Sequence, residues 1–383
     1  MGLTEPPQDD EVEVSLFGPG KGEAVVVHVG AATWIIVDSC RDAQSGTPAP
    51  LSYLNTLGAS PSSVALIVAT HWHDDHIRGL GEVVEACPKA DFIFSQMLKR
   101  DQFLELVVAG RRSLMTTAGT SEFSSVLQVL EQRKRRTGRQ PRQFAMPNRV
   151  IWERGPDQIR TLSPPDAGID EALRRLAQFL PEARETKRRI GDVRPNDASI
   201  VLWIRVGDVV ALLGGDLERR RSVEMGWRAI LNAPVAVPSR ASLFKVPHHG
   251  AATGHDDRVW SELLEADPVA VLTPYSPSQI PTVEDQQRLC RLSAAAFLSA
   301  PNQPGGRRSR SAVVDAMISG TATYLHDAEP PTGHIRARRR IRRSAVGGDA
   351  WTIEVFPPAH DMCAALPADP EPAPKALSGA SNS

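Results

Sequence analysis

The stretch Thr70-His71-Trp72-His73-Asp74-Asp75-His76-Ile77-Arg78-Gly79 decides how the rest of the chain is read. It begins where an apolar run rich in β-branched residues ends, at residues 64–69, and that run reads as a buried strand. Three imidazoles and a carboxylate within six residues, on a loop at the carboxyl end of a strand, can converge on one point. Such a set of nitrogen and oxygen donors suits Zn²⁺ or a similar divalent ion. The ordinary alternative is a solvent-exposed histidine-rich turn. It would require three of the ten histidines to meet there by chance.

Outward from this loop, short strand-like runs bounded by Gly, Pro or Asp fall at residues 12–17, 24–29 and 33–37. Helix-like stretches then alternate with strands. Residues 80–86 follow the fourth strand, 102–108 follow a strand at 91–94, and 171–179 and 259–264 precede later ones. The pattern is α/β, with strand pairs early and βα units after. Between about residues 99 and 195 the strands thin out and arginines accumulate at Arg133, Arg135, Arg136, Arg139, Arg142, Arg184, Arg188, Arg189 and Arg194. This stretch is expected to be an inserted, partly helical cap. A charge run is ordinarily a solvated face, and a phosphate-facing surface is the other reading. A second cluster at Arg336, Arg338, Arg339, Arg340, Arg342 and Arg343 is expected on an edge strand or hairpin before residues 351–356.

Two further places carry donor side chains. Asp216 follows two glycines and the apolar run 209–213; it reads as a metal ligand, the alternative being a helix N-cap for residues 217–221. The pair His248-His249 cannot send both rings to one point on an extended chain, so one ligates and the other orients a ligand or touches substrate. Which one does so stays open. His28, His255, His326, His334 and His360 read as ordinary surface or core histidines, and the glycines at 18–22 as a tight strand connection, since no G-x-x-x-x-G-K-[ST] pattern is present.

Composition bounds the rest. The 383 residues allow one large domain or two modest ones, and 44 Lys+Arg against 45 Asp+Glu exclude a global polycation, so any nucleic acid must be met locally. No apolar run approaches the roughly 18 residues of a membrane span. The first residues are acidic where a secretory signal would be basic, which gives the expectation of a cytoplasmic protein. Cys40, Cys87, Cys290 and Cys363 form no CxxC pair and are expected to be free thiols. The expected organisation is an acidic lead at 1–11, one hydrolase domain at 12–360 containing the cap, and a disordered tail at 361–383.

The H-x-H-x-D-H loop resembles the metallo-β-lactamase fold superfamily. Further motifs resemble its ComEC-like branch, the nuclease-type domain of competence proteins: Lys245-Val-Pro-His248-His249-Gly250, Asn196-Asp-Ala-Ser199-Ile-Val-Leu202, and Gly20-Lys-Gly-Glu-Ala24. The resemblance implies a four-layer αββα sandwich with the site at one edge between two sheets. It implies His71, His73, Asp75, His76, Asp216 and His248 or His249 as ligands of one or two Zn²⁺ or Mn²⁺ ions, with Asp216 bridging. Asp38, Asn196 and Ser199 would support them from behind. His71, His73 and one of the 248–249 pair would build one side of the site, and His76, Asp75 and Asp216 the other. No histidine lies between His76 and His248, so one metal position is expected to be short of a ligand unless Asp197 or the second histidine of the 248–249 pair serves, and Ala251 stands where the branch usually has a serine.

The activity so implied is hydrolysis by a metal-bound hydroxide, with Asp75 and Asp216 in catalytic roles and a phosphodiester, DNA or RNA, as substrate. A hydrolase of small esters, thioesters or lactams on the same fold is the first alternative. A catalytically silent module that holds nucleic acid or protein through its arginines is the second.

Overall fold

A computed structural model describes residues 4–95, 118–177, 195–235, 237–302, 313–314, 317, 321, 331–343 and 349–366. Two eight-stranded mixed sheets form its body. In the first, β1 (Glu11–Gly18), β2 (Ala24–Val29) and β3 (Trp34–Val37) run antiparallel, then β4 (Val64–Ala69), β5 (Asp91–Ser95) and β6 (Arg142–Ala145) continue parallel to β3. The second sheet repeats this plan. Here β7 (Arg149–Arg154), β8 (Asp157–Thr161), β9 (Leu202–Val206) and β10 (Val209–Leu213) are antiparallel, and β11 (Ala241–Lys245), β12 (Leu264–Leu272) and β13 (Ala296–Leu298) run parallel to β10. Two late strands, β14 (Gly333–Arg340) and β15 (Thr352–Phe356), extend the first sheet beside β1, and β16 (His360–Asp361) closes the second.

The period-two alternation explains the layers. Val12, Val14 and Leu16 of β1 pack with Leu202, Ile204 and Val206 of β9 and Val209, Ala211 and Leu213 of β10, so one apolar core lies between the sheets. On the outer face of the first sheet, Ile36, Ile67 and Phe92 pack under α1 (Ala49–Thr56), α2 (Asp74–Ile77), α3 (Leu80–Ala86), α4 (Ala118–Thr137) and α5 (Asp166–Ala177). On that of the second, Leu212, Phe244 and Leu272 pack under α6 (Gly226–Leu231) and α7 (Val283–Leu292). Helices thus cover both outer faces, the αββα order that the motifs imply.

Several expectations need correction. The stretch assigned to a cap contains β6, β7 and β8, so its described part carries sheet strands of both halves; residues 99–117 and 178–194, with Arg184, Arg188, Arg189 and Arg194, lie outside the described residues. These strands are short and polar on one side, which hides them from a search for apolar runs. Arg336, Arg338, Arg339 and Arg340 of the second cluster lie on β14, with Arg342 and Arg343 just after it; β14 forms the expected hairpin with β15 and, flanked by β1 on its other side, is not an edge. Three of its side chains are neutralised inside the protein, Arg336 on Glu354 (2.7 Å), Arg338 on Glu13 (2.7 Å) and Arg339 on Asp208 (3.2 Å), while Arg343 pairs with Asp157 (2.8 Å) from the surface.

Cys290 and Cys363 form a disulfide, while Cys40 and Cys87 are buried free thiols. Sequence separation conceals this pairing: β16 brings the chain back beside β13, next to α7, and Met362 is buried in the outer core. The first residues of the expected tail therefore belong to the fold. No helix among the described residues is long and apolar enough to cross a membrane.

Candidate metal centre

All candidate ligands sit just beyond the carboxyl ends of β3, β4, β10 and β11, where the parallel parts of the two sheets open toward the same rim. Side chains there are free of the ladder yet anchored by it. Asp38 follows β3 in a left-handed conformation (φ 60°), which a non-glycine residue adopts at a cost of order 1–3 kcal/mol. That turn aims its carboxylate at the neighbouring loop. Oδ1 accepts from the Thr70 backbone N–H (2.7 Å), and Oδ2 accepts both from the Thr70 hydroxyl (2.6 Å) and from His76 Nδ1 (2.7 Å).

These bonds set the tautomers. His76 spends its Nδ1 proton on Asp38, so Nε2 is the atom turned to the centre. Because the Thr70 hydroxyl donates to Asp38, its oxygen can accept from His71 Nδ1 at 3.0 Å, which turns His71 Nε2 inward too. His249 Nδ1 faces the carbonyl oxygen of Thr273 (3.2 Å) and must donate to it, leaving Nε2 beside Asp75 Oδ2 (3.2 Å) and Asp216 Oδ2 (3.6 Å). One carboxylate behind the loop and one carbonyl across the cleft orient three rings.

Asp216 reaches the same space from the second sheet through the turn after β10. Gly215 is left-handed (φ 50°), and a Cβ there would lie 2.6 Å from the Ser199 hydroxyl and 2.7 Å from the Ile200 carbonyl oxygen, so this turn requires glycine. The Ser199 hydroxyl accepts from the Asp216 backbone N–H (2.9 Å). Asp216 Oδ1 is 3.5 Å from His76 Nε2, and Oδ2 is 3.9 Å from His71 Nε2. The helix that Asp216 could have capped does not form.

The geometry sorts the sequence candidates. One group of donor atoms within 4.8 Å of one another comes from His71, His76 and Asp216, and a second from Asp75, His76 and His249. His249 therefore stands with Asp75, across from the His71–His73 side to which one of the pair was assigned. His73 is drawn in only through its neighbour, with Nδ1 3.0 Å from His71 Nε2. His248 points elsewhere, to the Thr253 hydroxyl (2.9 Å) and toward Glu218 (4.0 Å). Both members of the pair are left-handed (φ 51° and 52°), the backbone reversal that separates their rings. Asn196 bonds Glu218 (3.0 Å) and Asp197 pairs with Arg220, so neither joins the donor groups.

Sequence reasoning assigned no role to Glu23, Lys245, Thr273 or Tyr275. Glu23 and Lys245 stood inside quoted motifs; Thr273 and Tyr275 carried no signal. The Tyr275 ring stacks on His249 with centroids 5.3 Å apart.

Electrostatics follow from packing carboxylates and imidazoles together out of water. Burial alone would lower the pKa of His76, but Asp216, Asp75 and Asp38 reverse the sign and hold it well above the ordinary histidine value. His249 is raised in the same way, against burial, by Asp216 and Asp75. His71 is pushed well below, first by burial and then by His76 and His73. Burial would raise Asp216, yet His76 and His249 hold it well below the usual carboxylate range.

The donor set fits a divalent cation. His76 Nε2 and Asp216 Oδ1 are both buried without a hydrogen-bond partner although they face each other, and leaving two such atoms unsatisfied costs free energy that a cation between them would recover.

Residues 17–96, from the end of β1 through β5, match the family model of the metallo-beta-lactamase superfamily. That match covers the stretch that carries Asp38 and the His71–His76 loop. No curated protein matches. Among solved structures, the metallo-beta-lactamase fold protein YhfI from Bacillus subtilis is similar at 13% identity and a TM-score of 0.38, over 76% of this chain and 95% of that one. The subclass B3 metallo-beta-lactamase MEM-A1, from a soil metagenome library, is similar at 13% identity and 0.31, over 76% and 87%. The hydrolase AbOPH of the beta lactamase superfamily is similar at 14% identity and 0.32, over 55% and 72%.

Proposed function

We propose that this protein is a metal-dependent hydrolase whose substrate is a phosphodiester. The observation that carries the hydrolase reading is the convergence of His71, His76, His249, Asp75 and Asp216, from three separate strand ends, on one buried cluster with two orphaned polar atoms. Asp75, His76, His249 and Asp216 would hold one divalent ion, and His71, His73 and Asp216 a second. Such ions supply Lewis acidity and lower the pKa of water toward ~7. The chain's own part is to hold each Nδ1–H, through Asp38, Thr70 and Thr273, so that each Nε2 is aimed at the centre, and to offer Asp75 as an acceptor for a proton leaving the attacking water.

The phosphodiester assignment rests on the ComEC-like motifs and on Arg78. This arginine is exposed, follows the His76 helix, and lies close enough to Tyr275 to act on its phenol. It is a cation suited to a phosphate oxygen at the rim. If the phosphodiester is part of a nucleic acid, its binding would weaken steeply with salt. One observation favours small esters, thioesters or lactams instead: most arginines of β14 are committed to acidic partners inside the protein.

Purified protein, stripped with chelator and supplied with Mn²⁺ or Zn²⁺, separates these readings on a panel of chromogenic phosphodiesters, single-stranded and duplex oligonucleotides, cyclic nucleotides, esters and lactams. Metal-dependent turnover of phosphodiesters is expected. Turnover of esters or lactams alone would select the second reading, and metal-free protein that binds nucleic acid without turnover would select a silent module.

A further inference from the structure

Glu23, on the connection between β1 and β2, reaches three pieces of the centre at once. Its backbone N–H donates to the Asp75 carbonyl oxygen (2.8 Å). Its Oε2 accepts from the Thr273 hydroxyl (2.6 Å), and Thr273 in turn receives His249 Nδ1 at its carbonyl (3.2 Å) and hydroxyl (3.1 Å) oxygens. Its Oε1 pairs with Lys245 Nζ. That ammonium also donates to the Gly215 carbonyl oxygen (3.0 Å), in the turn that aims Asp216, and stands 3.8 Å from Asp216 Oδ1. Glu23 and Lys245 are 2% and 1% exposed. Close approach is built in as well, since a Cβ on Gly22 would lie 2.8 Å from Cys40 Cβ and 3.3 Å from the Asp75 carbonyl oxygen.

A fully buried ion pair is a poor source of stability, because desolvation offsets most of its attraction, and an apolar pair of similar volume often does as well. Its geometry has a better use. Three ligands, Asp75 from the first sheet and Asp216 and His249 from the second, hang on separate turns whose spacing neither sheet sets alone. The side chains of one ion pair touch the supports of Asp216 and His249, and the backbone of the same glutamate holds Asp75.

We propose that Glu23 and Lys245 are positioning residues, a buried ion pair that holds Asp216 and His249 at coordinating separation, beside the Asp75 turn that the Glu23 backbone N–H anchors from the other sheet. This rests on the metal-centre reading above. Loss of such outer support lowers metal affinity by ~10–100-fold.

The test is Mn²⁺ and Zn²⁺ affinity by chelator competition, alongside the thermal midpoint of the metal-free protein. Glu23→Gln is expected to weaken binding at least tenfold. The double variant Glu23→Leu/Lys245→Met is expected to melt close to the parent while affinity stays at least tenfold down. A double variant that binds as the parent does would overturn the proposal, as would affinity that recovers whenever the melting point does. Thr273→Val against Thr273→Ser decides the matter should the double variant fail to fold: a tenfold loss in the valine variant alone supports the chain from Glu23 to His249, and equal affinities refute it. A parent protein that binds neither ion sinks the metal reading itself, and the positioning role with it; a parent that binds beside an unaffected double variant sinks only the latter.

Discussion

The two halves of the centre are built differently. Asp75, His76, His249 and Asp216 come from both sheets, and each is held from behind, by Glu23, Asp38, Thr273 and Ser199 respectively. The other half rests on His71 and His73, two residues apart on one loop. Of these, His71 is braced through Thr70. The hydrogen bond of the His73 ring runs to His71, whose Nε2 is itself a ligand atom, so among the described residues no separate hydrogen-bond partner fixes its orientation. The chain has no histidine between His76 and His248 to complete this side. Orientation fixed in advance removes an ordering cost at binding, so the braced half is expected to bind its ion tightly and the other loosely.

The sharpest attempt to break this contrast is to remove the residue both halves share. Asp216→Ala is expected to stay folded, lose both ions by elemental analysis and lose at least ~10³-fold in kcat/KM, since charge stabilisation at such centres supplies several kcal/mol. His73→Ala should keep one ion per chain while turnover falls. Equal metal loss in the two variants would erase the distinction.

Asp38→Asn comes next. An amide can present its nitrogen to His76 Nδ1 and so scramble the tautomer. Affinity at the braced half is expected to drop ~10–100-fold. Because Asp38 also fixes His71 through Thr70, both halves should weaken, unlike the effect of Thr273→Val.

Proton release gives a comparison without mutation. His76 is held well above and His71 well below the ordinary histidine value, so near neutral pH an ion entering the braced half displaces a proton and one beside His71 displaces none from that ring. Because His249 is raised as well, up to two protons leave the braced half, so affinity there should rise by up to about a hundredfold per pH unit, and calorimetry in buffers of different ionisation enthalpy should show release for the first ion only. The sign carries over to stability. A histidine with a raised folded pKa stabilises fully below the unfolded value of about 6.5, and that contribution is lost as pH rises through the folded one. Metal-free protein should therefore soften toward alkaline pH more than the loaded form.

The smallest effect is expected at His248. His248→Ala should leave metal content and stoichiometry unchanged, because its ring bonds Thr253 away from the donor groups. A lost ion in this variant would reassign the pair.

Much of this centre was legible in the residues alone. Apolar runs ending in His71-Trp-His73-Asp-Asp75-His76, in Gly214-Gly215-Asp216 and in His248-His249 announce donors at strand ends, since a strand must be apolar where it is buried and is free to carry ligands only where its ladder stops. That local rule yields α/β order, both sheets' central strands and the ligand types. Contacts between distant segments obey no such rule. The choice of His249 over His248 depends on two left-handed residues, the Cys290–Cys363 bond on where β16 returns, and the Glu23–Lys245 pair on how two sheets stack. Each is a distance between segments far apart in the chain, and only packing sets such distances.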